Sequence, residues 1–292
     1  MDLEQTAIER IKAASVMSLN FYQKPLLVCI SGGKDSDVLL ELVRRSGVPY
    51  EVQHSLTTVD APQTVYHVRS IFRREEQNGT VCTLNKPKMT MWQLIVYKKF
   101  PPTRLIRYCC EYLKETAGKN RHILTGVRWD ESSKRKNRGI YESIEKQKDK
   151  RIILMGDNDD KRRLFERCAL QGKTVTNPII DWKAKDIYDY ISSERLVINP
   201  LYTDLGFKRV GCIGCPMGCK SCREREFRLF PTYKRAYIRA FEQMLLARKK
   251  QGLSCGKFGD TGKSVYRWWV DETYNPYQIS MFSEDGDENF DI

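Results

Sequence analysis

The sequence predicts an α/β fold in which helices flank a parallel sheet of five strands and a helical, cysteine-bearing C-terminal region follows. Short apolar runs alternate with segments of helical apolar spacing from Leu26 onwards, and such strand-helix alternation is typical of a parallel sheet. The cysteines are unevenly placed, with an adjacent pair at Cys109 and Cys110 and a cluster from Cys212 to Cys222. This clustering favours a metal site over disulfides.

Composition and charge limit the classes of protein that need to be considered. The chain has 292 residues, of which 41% are hydrophobic and 11% aromatic, so it can bury a large core. No apolar run approaches the roughly 18 residues of a membrane span, and the N-terminus lacks a signal-peptide pattern. We therefore expect a cytoplasmic protein that does not contact a membrane. The net charge of +13 favours a polyanionic partner, and charge alone leaves a nucleotide, a nucleic acid and an acidic protein open.

Three segments are expected along the chain. Residues 1–200 should form the α/β domain, which carries the ligand site at the carboxyl ends of its strands. Residues 201–282 should form a cysteine-rich, basic helical region packed on that domain. Residues 283–292 are expected to be an acidic, disordered tail.

The elements are predicted in order from local signals. Apolar residues recur at helical spacing over residues 6–19 and predict a helix before the first strand. Pro62 fits the first turn of a helix, Pro101 ends another, and Pro231 interrupts a long basic helical segment. The charge-rich stretch 139–150 lacks apolar periodicity and is expected to be a loop or lid. The predicted strands span 26–30, 50–56, 79–84, 122–127 and 151–155, and the predicted helices span 6–19, 37–43, 62–76, 91–99, 160–170, 186–191 and 223–250.

The first predicted strand leads directly into a glycine loop, Ser31-Gly32-Gly33-Lys34-Asp35-Ser36. Two adjacent glycines let backbone N–H groups turn inward as an anion nest, and the amides and dipole at the start of the next helix point to the same place. Lys34 adds a positive charge. The loop is not of the G-x-x-x-x-G-K-[ST] type, because the glycines abut and the lysine follows them directly. It predicts a phosphate site better than it predicts a plain strand-to-helix turn.

This hexapeptide resembles the signature of the PP-loop ATP pyrophosphatases and of their relatives, the phosphoadenosine-phosphosulfate (PAPS/APS) reductase family. The resemblance extends over roughly residues 26–216. It implies that residues 1–200 bind an adenine nucleotide, either ATP with Mg2+ or APS or PAPS. The residues that would hold its phosphates or sulfate are Ser31, Gly32, Gly33, Lys34, Asp35 and Ser36.

Polar residues after two later strands complete the expected site. Thr58 and Asp60 look like the family's second nucleotide-facing motif, although Asp60 would also suit a helix N-cap. Gly126, Arg128 and Arg135 look like the family's glycine, arginine, glutamate-serine and arginine motif. Arginine suits oxyanions because its planar fork donates two hydrogen bonds at once, so we expect Arg128 to clamp the anion, with Arg135 second. The expected catalytic residues are Lys34, Asp35 and Arg128.

Two sets of cysteines compete as metal ligands. In the APS-reductase branch of the family, a cysteine pair followed much later by C-x-x-C binds a [4Fe–4S] cluster, which requires four cysteinates. The matching residues, here named the split set, are Cys109, Cys110, Cys212 and Cys215. A contiguous set could instead close a Zn2+ knuckle or a local cluster by itself; its residues are Cys212, Cys215, Cys219 and Cys222. We favour the split set, which leaves Cys219 and Cys222 as spare thiols, a redox pair or alternative ligands.

The segment 223–250 mixes aromatic and basic side chains. It predicts either a DNA or RNA surface or an amphipathic helix whose aromatic side chains face inward and whose basic side chains face water. Both interpretations stay open. The aromatic residues are Phe227, Phe230, Tyr233, Tyr237 and Phe241, and the basic residues are Arg225, Arg228, Lys234, Arg235 and Arg239.

Three functions agree with these features. The favoured one adenylates an oxygen of a nucleic acid or small acceptor with ATP before sulfur replaces it, as a resemblance to DNA phosphorothioation proteins implies; a cysteine desulfurase would then supply the sulfur. The second is an APS/PAPS reductase with a thioredoxin-type donor. That family uses a Glu-Cys-Gly-(Leu/Ile)-His element, whereas Cys255 lacks both the glutamate and the histidine. The third is a non-catalytic nucleotide-binding subunit of a defence or mobile-element complex. Formation of a homo-oligomer is left open.

Overall fold

The structure is a computed structural model that describes residues 2–114, 118–132, 135–144, 151–154, 173–255 and 258–271. The predicted helix over 160–170 and the predicted acidic tail lie outside the described residues. Among the described helices, none is both long and apolar enough to cross a membrane.

One sheet of seven described strands forms the centre of the α/β part, in the order β3-β2-β1-β4-β7-β5-β6. The strands are β1 Leu26–Ile30, β2 Tyr50–Ser55, β3 Cys82–Asn85, β4 His122–Leu124, β5 Tyr141–Ile144, β6 Arg151–Leu154 and β7 Lys173–Thr176. Strands β3, β2, β1, β4 and β7 are all paired in parallel, whereas β5 pairs antiparallel with both β7 and β6. The predicted α/β class with five parallel strands is confirmed.

Two details of the sheet differ from the sequence prediction. The fifth parallel strand is β7, which the sequence did not indicate, while the predicted strand near residue 151 is the antiparallel β6. The prediction of a loop over residues 139–150 is wrong for residues 141–144, which form β5. In that strand Glu142 is fully buried and accepts a hydrogen bond from Arg138 Nε at 2.5 Å, so the charge that suggested a loop is neutralised locally.

The helices lie between the strands in sequence, or before or after them. They are α1 Leu3–Tyr22, α2 Lys34–Ser46, α3 Pro62–Gln77, α4 Met91–Lys98, α5 Tyr108–Leu113, α6 Ala184–Ser193, α7 Pro200–Thr203, α8 Lys220–Leu229, α9 Pro231–Lys250 and α10 Gly262–Val270. Local signals explain several of their ends. Pro62 occupies the first turn of α3, Gly47 ends α2 with φ 69°, and a Thr90-Gln93 capping box begins α4.

The described residues divide into two compact units. One unit takes in Met1–Lys88 and Cys109–Cys212, and the other takes in Met89–Tyr108 and Ile213–Ile292. In the first unit, the core lies where α1 and α2 pack on β1, and it includes Ile11 and Leu39.

The second unit is organised around a glycine in the Cys212-Ile213-Gly214-Cys215 motif. Gly214 has φ +72°, and an added Cβ would lie 2.6 Å from Phe227 Cζ and 3.0 Å from Trp269 Cη2. Only glycine fits between these rings in this conformation. Tyr237 Oη donates to the Ile213 carbonyl at 3.0 Å, and Glu226 accepts the Gly214 N–H at 2.7 Å.

The aromatic side chains of α8 and α9 face into this unit. Phe227, Tyr237 and Phe241 are buried, so they cannot stack on bases. The amphipathic arrangement is therefore observed. The basic residues of the predicted surface are exposed, and binding of a nucleic acid there stays a prediction; these residues are Arg225, Arg228, Lys234, Arg235 and Arg239.

A buried histidine makes the stability of the first unit dependent on pH. His122 in β4 lies between Thr176 Oγ1, 2.7 Å from its Nε2, and Thr174 Oγ1, 2.8 Å from its Nδ1. Burial lowers the pKa of His122 to about 3 from the ordinary value of 6.5. As the pH falls below 6.5, the unfolded chain takes up a proton that the folded chain refuses, so the free energy of unfolding decreases until the pH nears 3.

We expect His122→Gln to flatten this dependence. Within that pH window, His122 lowers the free energy of unfolding by up to about 1.4 kcal/mol for each unit by which the pH falls. Urea unfolding at pH 7, 6 and 5 measures the slope for the wild type and the variant. Equal slopes in the two proteins would show that His122 is not the group responsible.

Candidate nucleotide-binding site

The glycine loop connects β1 to α2 in a strained conformation that glycine makes accessible. Gly32 has φ +73°, and a Cβ there would lie 2.8 Å from Thr64 Cγ2. Gly33 is the N-cap of α2, and its carbonyl accepts hydrogen bonds from Ser36 N–H at 2.9 Å and Ser36 Oγ at 2.7 Å. The loop therefore directs the N-terminal amides and positive dipole end of a 13-residue helix at the carboxyl edge of the sheet.

The three predicted catalytic residues come together at this loop. Lys34 Nζ lies 2.8 Å from Asp35 Oδ2, and Arg128 Nε lies 2.5 Å from Asp35 Oδ1. Lys34 is only 7% exposed and Arg128 only 3%. Arg128 Nη1 also donates to the Trp182 carbonyl at 3.2 Å and lies 3.6 Å from Asp130 Oδ2. The Asp35 carboxylate thus pairs with two cations at once, one on each of its oxygens.

Further arginines surround Arg128. Burial lowers the pKa of Arg135 to about 10, and the neighbouring guanidinium groups of Arg209 and Arg138 contribute to this shift, opposed by Asp35. Arg135 also forms an ion pair with Glu131. A cation whose pKa is depressed by other cations lies in positive potential, so this edge of the sheet favours an anion.

Gly126 lies against the loop itself. A Cβ at this position would be 2.8 Å from the Asp35 carbonyl oxygen and 3.2 Å from Ser36 N. The absence of a side chain therefore lets the chain after β4 approach the start of α2, which brings Arg128 within reach of Asp35. The sequence predicted Gly126 as part of the site, and the structure shows a packing reason for it.

Thr58 and Asp60 lie at the carboxyl end of β2, as predicted. Asp60 Oδ2 accepts the Thr57 N–H at 2.8 Å, and Thr58 has φ 65°. The N-cap of α3 is Ala61, so Asp60 caps the turn before the helix rather than the helix. Asp60 also forms an antiparallel backbone bridge with Cys212. A contact of either side chain with a nucleotide stays a prediction.

Two residues at the loop were missed by the sequence reasoning. Asn199 is fully buried and its Nδ2 donates to the Gly32 carbonyl at 2.8 Å and to Thr64 Oγ1 at 3.0 Å. Tyr202 Oη lies 3.4 Å from Lys34 N, and the Tyr202 ring lies 5.9 Å from Lys34 Nζ. An asparagine before Pro200 does signal the helix start that is found at α7. The signal does not reveal that the same side chain holds a loop 167 residues away.

The Tyr202 hydroxyl lies at the N-terminus of α2, beside Lys34. Two backbone N–H groups, those of Lys34 and Val210, point at its oxygen, so its own proton must point elsewhere. Burial raises the pKa of Tyr202 to about 12, so the hydroxyl stays protonated at neutral pH. We expect Tyr202→Phe to weaken the binding of an adenine nucleotide about tenfold, as the loss of one hydrogen bond to a charged group would. Titration calorimetry measures the change, and tighter binding by the variant would mean that Tyr202 blocks the nest instead.

A match to known proteins agrees with this geometry. The phosphoadenosine phosphosulfate reductase domain matches residues 25–217, which include the glycine loop, Arg128 and Tyr202. A match to this domain implies a nucleotide site in which backbone N–H groups at the carboxyl edge of a parallel sheet bind an anion. The chain belongs to the phosphoadenosine phosphosulfate reductase family.

Curated relatives are distant. An uncharacterized protein of Methanocaldococcus jannaschii is 26% identical over 240 residues, which cover 76% of this chain and 51% of the relative. A second uncharacterized protein of that organism is 24% identical over 219 residues, covering 70% of this chain and 39% of the relative. The chain thus spans about half of these two relatives or less. An adenosine 5'-phosphosulfate reductase of Geobacillus kaustophilus is 23% identical over 201 residues, covering 66% of this chain and 74% of the relative.

Solved structures show similarly distant likenesses. A phosphoadenylyl-sulfate reductase from Candida auris, in a phosphate complex, has a TM-score of 0.45 and 18% identity, covering 71% of this chain and 88% of that one. An NMN synthetase from Francisella tularensis has a TM-score of 0.43 and 11% identity, covering 97% and 99%.

The predicted metal ligands are distributed over both units. Cys109 is buried and Cys110 and Cys212 are half-buried in the first unit, whereas the half-buried Cys215 belongs to the second. Within the described ranges, no group of three or more His, Cys, Asp or Glu residues is arranged to hold a metal ion.

Arg104 precedes the cysteine pair in sequence, and its side chain contacts the backbone that follows Cys215. Its Nε donates to the Pro216 carbonyl and its Nη2 to the Gly218 carbonyl, both at 3.1 Å. Arg104 therefore fixes the turn that follows Cys215.

Cys219 and Cys222 form a disulfide, with Cα atoms 5.1 Å apart. The expectation of a metal in place of disulfides is wrong for this pair in the structure. A C-x-x-C at the start of a helix brings the two sulfur atoms within bonding reach of each other, so it suits either outcome.

Proposed function

We propose that this protein binds ATP in the glycine loop and uses it to adenylate an oxygen of an acceptor, which sulfur then replaces. The observation that carries the proposal is the pair of buried cations, Lys34 and Arg128, held on one carboxylate at the N-terminus of α2. A polyphosphate can use both cations together with the helix amides.

The chemistry follows from where negative charge develops. The acceptor oxygen attacks the α-phosphorus of ATP, the bond to the bridging oxygen breaks, and pyrophosphate leaves with the bonding electron pair. Lys34 and Arg128 stabilise the charge that builds up on the departing phosphates. Asp35 keeps the two cations in position, and Mg2+ brought in with ATP would neutralise part of the phosphate charge.

A nucleic acid is the acceptor class that we favour. The net charge of +13 and the exposed basic side chains of α8 and α9 suit a polyanion. A cysteine desulfurase is the proposed source of sulfur. Its persulfide attacks the atom that carries the adenylated oxygen, AMP leaves with that oxygen and the bonding electron pair, and a thiol reductant then cleaves the resulting disulfide to release the desulfurase.

A second candidate, reduction of APS or PAPS, is favoured by the match to an adenosine 5'-phosphosulfate reductase. The sequence around the last cysteine weighs against it. Cys255 is preceded by Ser254 and followed by Gly256 and Lys257, whereas the reductase element has glutamate before the cysteine and histidine after it. The half-buried Cys255 therefore lacks the neighbours of the reductase nucleophile.

The experiment that separates these functions follows three products. The protein is incubated anaerobically with ATP, APS and PAPS in turn, with and without DNA or RNA, and pyrophosphate, AMP and sulfite are measured. We expect pyrophosphate from ATP, increased by nucleic acid, and no sulfite. Sulfite from APS or PAPS would overturn the proposal, and Cys255→Ser should then abolish it. Nucleotide binding with no product at all would identify a non-catalytic subunit.

We also propose that the split set of cysteines holds a [4Fe–4S] cluster. The split set supplies the four cysteine side chains that such a cluster needs, whereas Cys219 and Cys222 are bonded to each other. The test is the iron and sulfide content of anaerobically purified protein. Cys109→Ser should lose the iron and Cys255→Ser, the matched control, should keep it. Unchanged iron in the Cys109 variant would refute the split set.

A further inference from the structure

The Cys219-Lys220-Ser221-Cys222 motif has no part in the nucleotide site described above. We propose that Cys219 and Cys222 form a redox-active pair that a protein dithiol of the thioredoxin type reduces. The inference does not depend on the proposed reaction with ATP, because it rests on the start of α8 alone.

The position of the pair favours thiol–disulfide exchange. Cys219 is the N-cap of α8, a helix of ten residues, and its Sγ accepts the Cys222 N–H at 3.2 Å. The hydroxyl of Ser221 lies 3.3 Å from the same sulfur. Both contacts, together with the positive end of the helix dipole, stabilise negative charge on Cys219 Sγ. A stabilised thiolate is a good leaving group in disulfide exchange.

The pair is also accessible, in contrast to other cysteines. Cys219 and Cys222 are both exposed. By comparison, burial raises the pKa of Cys29 to about 11 and that of Cys82 to about 12, which makes these thiols poor nucleophiles. The described part of the chain thus presents this cysteine pair at the surface, whereas burial keeps the thiols of Cys29 and Cys82 protonated.

The helix that carries the pair is anchored without the disulfide. Buried Arg223 donates to the carbonyls of Trp269 and Val270, each at 2.7 Å. Phe227 packs against the rings of Tyr237 and Trp269, with centroids 5.7 and 6.1 Å away. Opening the disulfide would therefore leave α8 in place, as a reversible redox site requires.

The exchange balances in two steps. A thiolate of the donor attacks Cys222 Sγ, the Cys219–Cys222 bond breaks, and its electron pair stays on Cys219 Sγ, which becomes a thiolate. The donor's second thiolate then attacks the donor's first cysteine sulfur, which is bonded to Cys222 in the mixed disulfide, and Cys222 leaves as a thiolate. Two electrons and two protons pass in total, so the donor ends as a disulfide and the pair as two thiols.

The test traps the intermediate. The oxidised full-length protein is incubated with a thioredoxin-type protein whose resolving cysteine is serine, which stops the exchange at the mixed disulfide. We expect roughly one covalent adduct per chain, located at Cys222 by peptide mass spectrometry. The double variant Cys219→Ser/Cys222→Ser should form no adduct, and Cys255→Ser should form as much as the wild type.

A second measurement guards against a variant that misfolds. Equilibration of the wild type with dithiothreitol, followed by thiol labelling, should convert the pair reversibly while circular dichroism stays constant. Absence of an adduct with the wild type, or iron or zinc bound in proportion to Cys219 and Cys222 in the purified protein, would overturn the proposal.

Discussion

Replacing Arg128 by alanine is expected to abolish pyrophosphate release and to weaken ATP binding by at least about a hundredfold. Arg128 is 3% exposed and its Nε lies 2.5 Å from Asp35 Oδ1, so the variant removes one partner of a buried ion pair. Such a loss costs about 3–5 kcal/mol where the remaining charge is left without any partner. Because Lys34 still pairs with Asp35 in the variant, the loss of ATP-binding free energy should be smaller than this figure.

Two further variants make the Arg128 result specific. Arg128→Lys keeps the charge but loses the planar fork, and we expect it to bind ATP with intermediate affinity. Arg73→Ala removes the same charge from an exposed position on α3 and should leave binding unchanged. Titration calorimetry with ATP measures all three. If Arg128→Ala and Arg73→Ala bind ATP equally well, Arg128 is not an anion clamp.

The second large effect is expected from Gly126→Ala. The new Cβ would lie 2.8 Å from the Asp35 carbonyl oxygen and 3.0 Å from its carbon, and both are backbone atoms that no side-chain rotation can move away. The start of α2 or the chain after β4 must shift. Overpacking of this kind costs about 1–3 kcal/mol of folding free energy. The same shift separates Arg128 from Asp35, so ATP binding should fall as well.

Gly211→Ala is the matched control for this prediction. A Cβ on Gly211 would meet no atom within 4 Å, and this glycine does not have a left-handed conformation. The control should therefore unfold in urea as the wild type does and bind ATP equally well. A Gly126 variant with wild-type stability and wild-type ATP affinity would contradict the close approach of the two chain segments.

The parts of the site that lie close together in sequence were predictable. The glycine loop from Ser31 to Ser36 directly follows an apolar strand. Its strand-loop-helix geometry could therefore be predicted from local sequence alone. Arg128 was assigned from its resemblance to the family's arginine motif. It also follows another strand of the same parallel sheet, and carboxyl ends of parallel strands share one edge. The structure confirms the sheet and brings Arg128 to Asp35.

The parts that depend on distant contacts were not predictable. Asn199 and Tyr202 reach the loop from a segment more than 160 residues further along the chain, and nothing local to them names their partners. Strand β5 was not predicted because a charged residue such as Glu142 usually indicates a loop. Glu142 is buried in a strand here because it forms an ion pair with Arg138. The segment Met89–Tyr108 belongs to the second unit, an association that no composition shift in the sequence indicated.

The measurement that tests the central claim most directly is the affinity of the wild-type protein for ATP and for adenosine at several salt concentrations. If Lys34, Arg128 and the helix amides form a polyphosphate site, ATP should bind much more tightly than adenosine, and the difference should shrink as salt screens the charges. Calorimetric affinities that are equal for ATP and adenosine, or a difference that does not change with salt, would contradict the assignment of this loop as the nucleotide phosphate site.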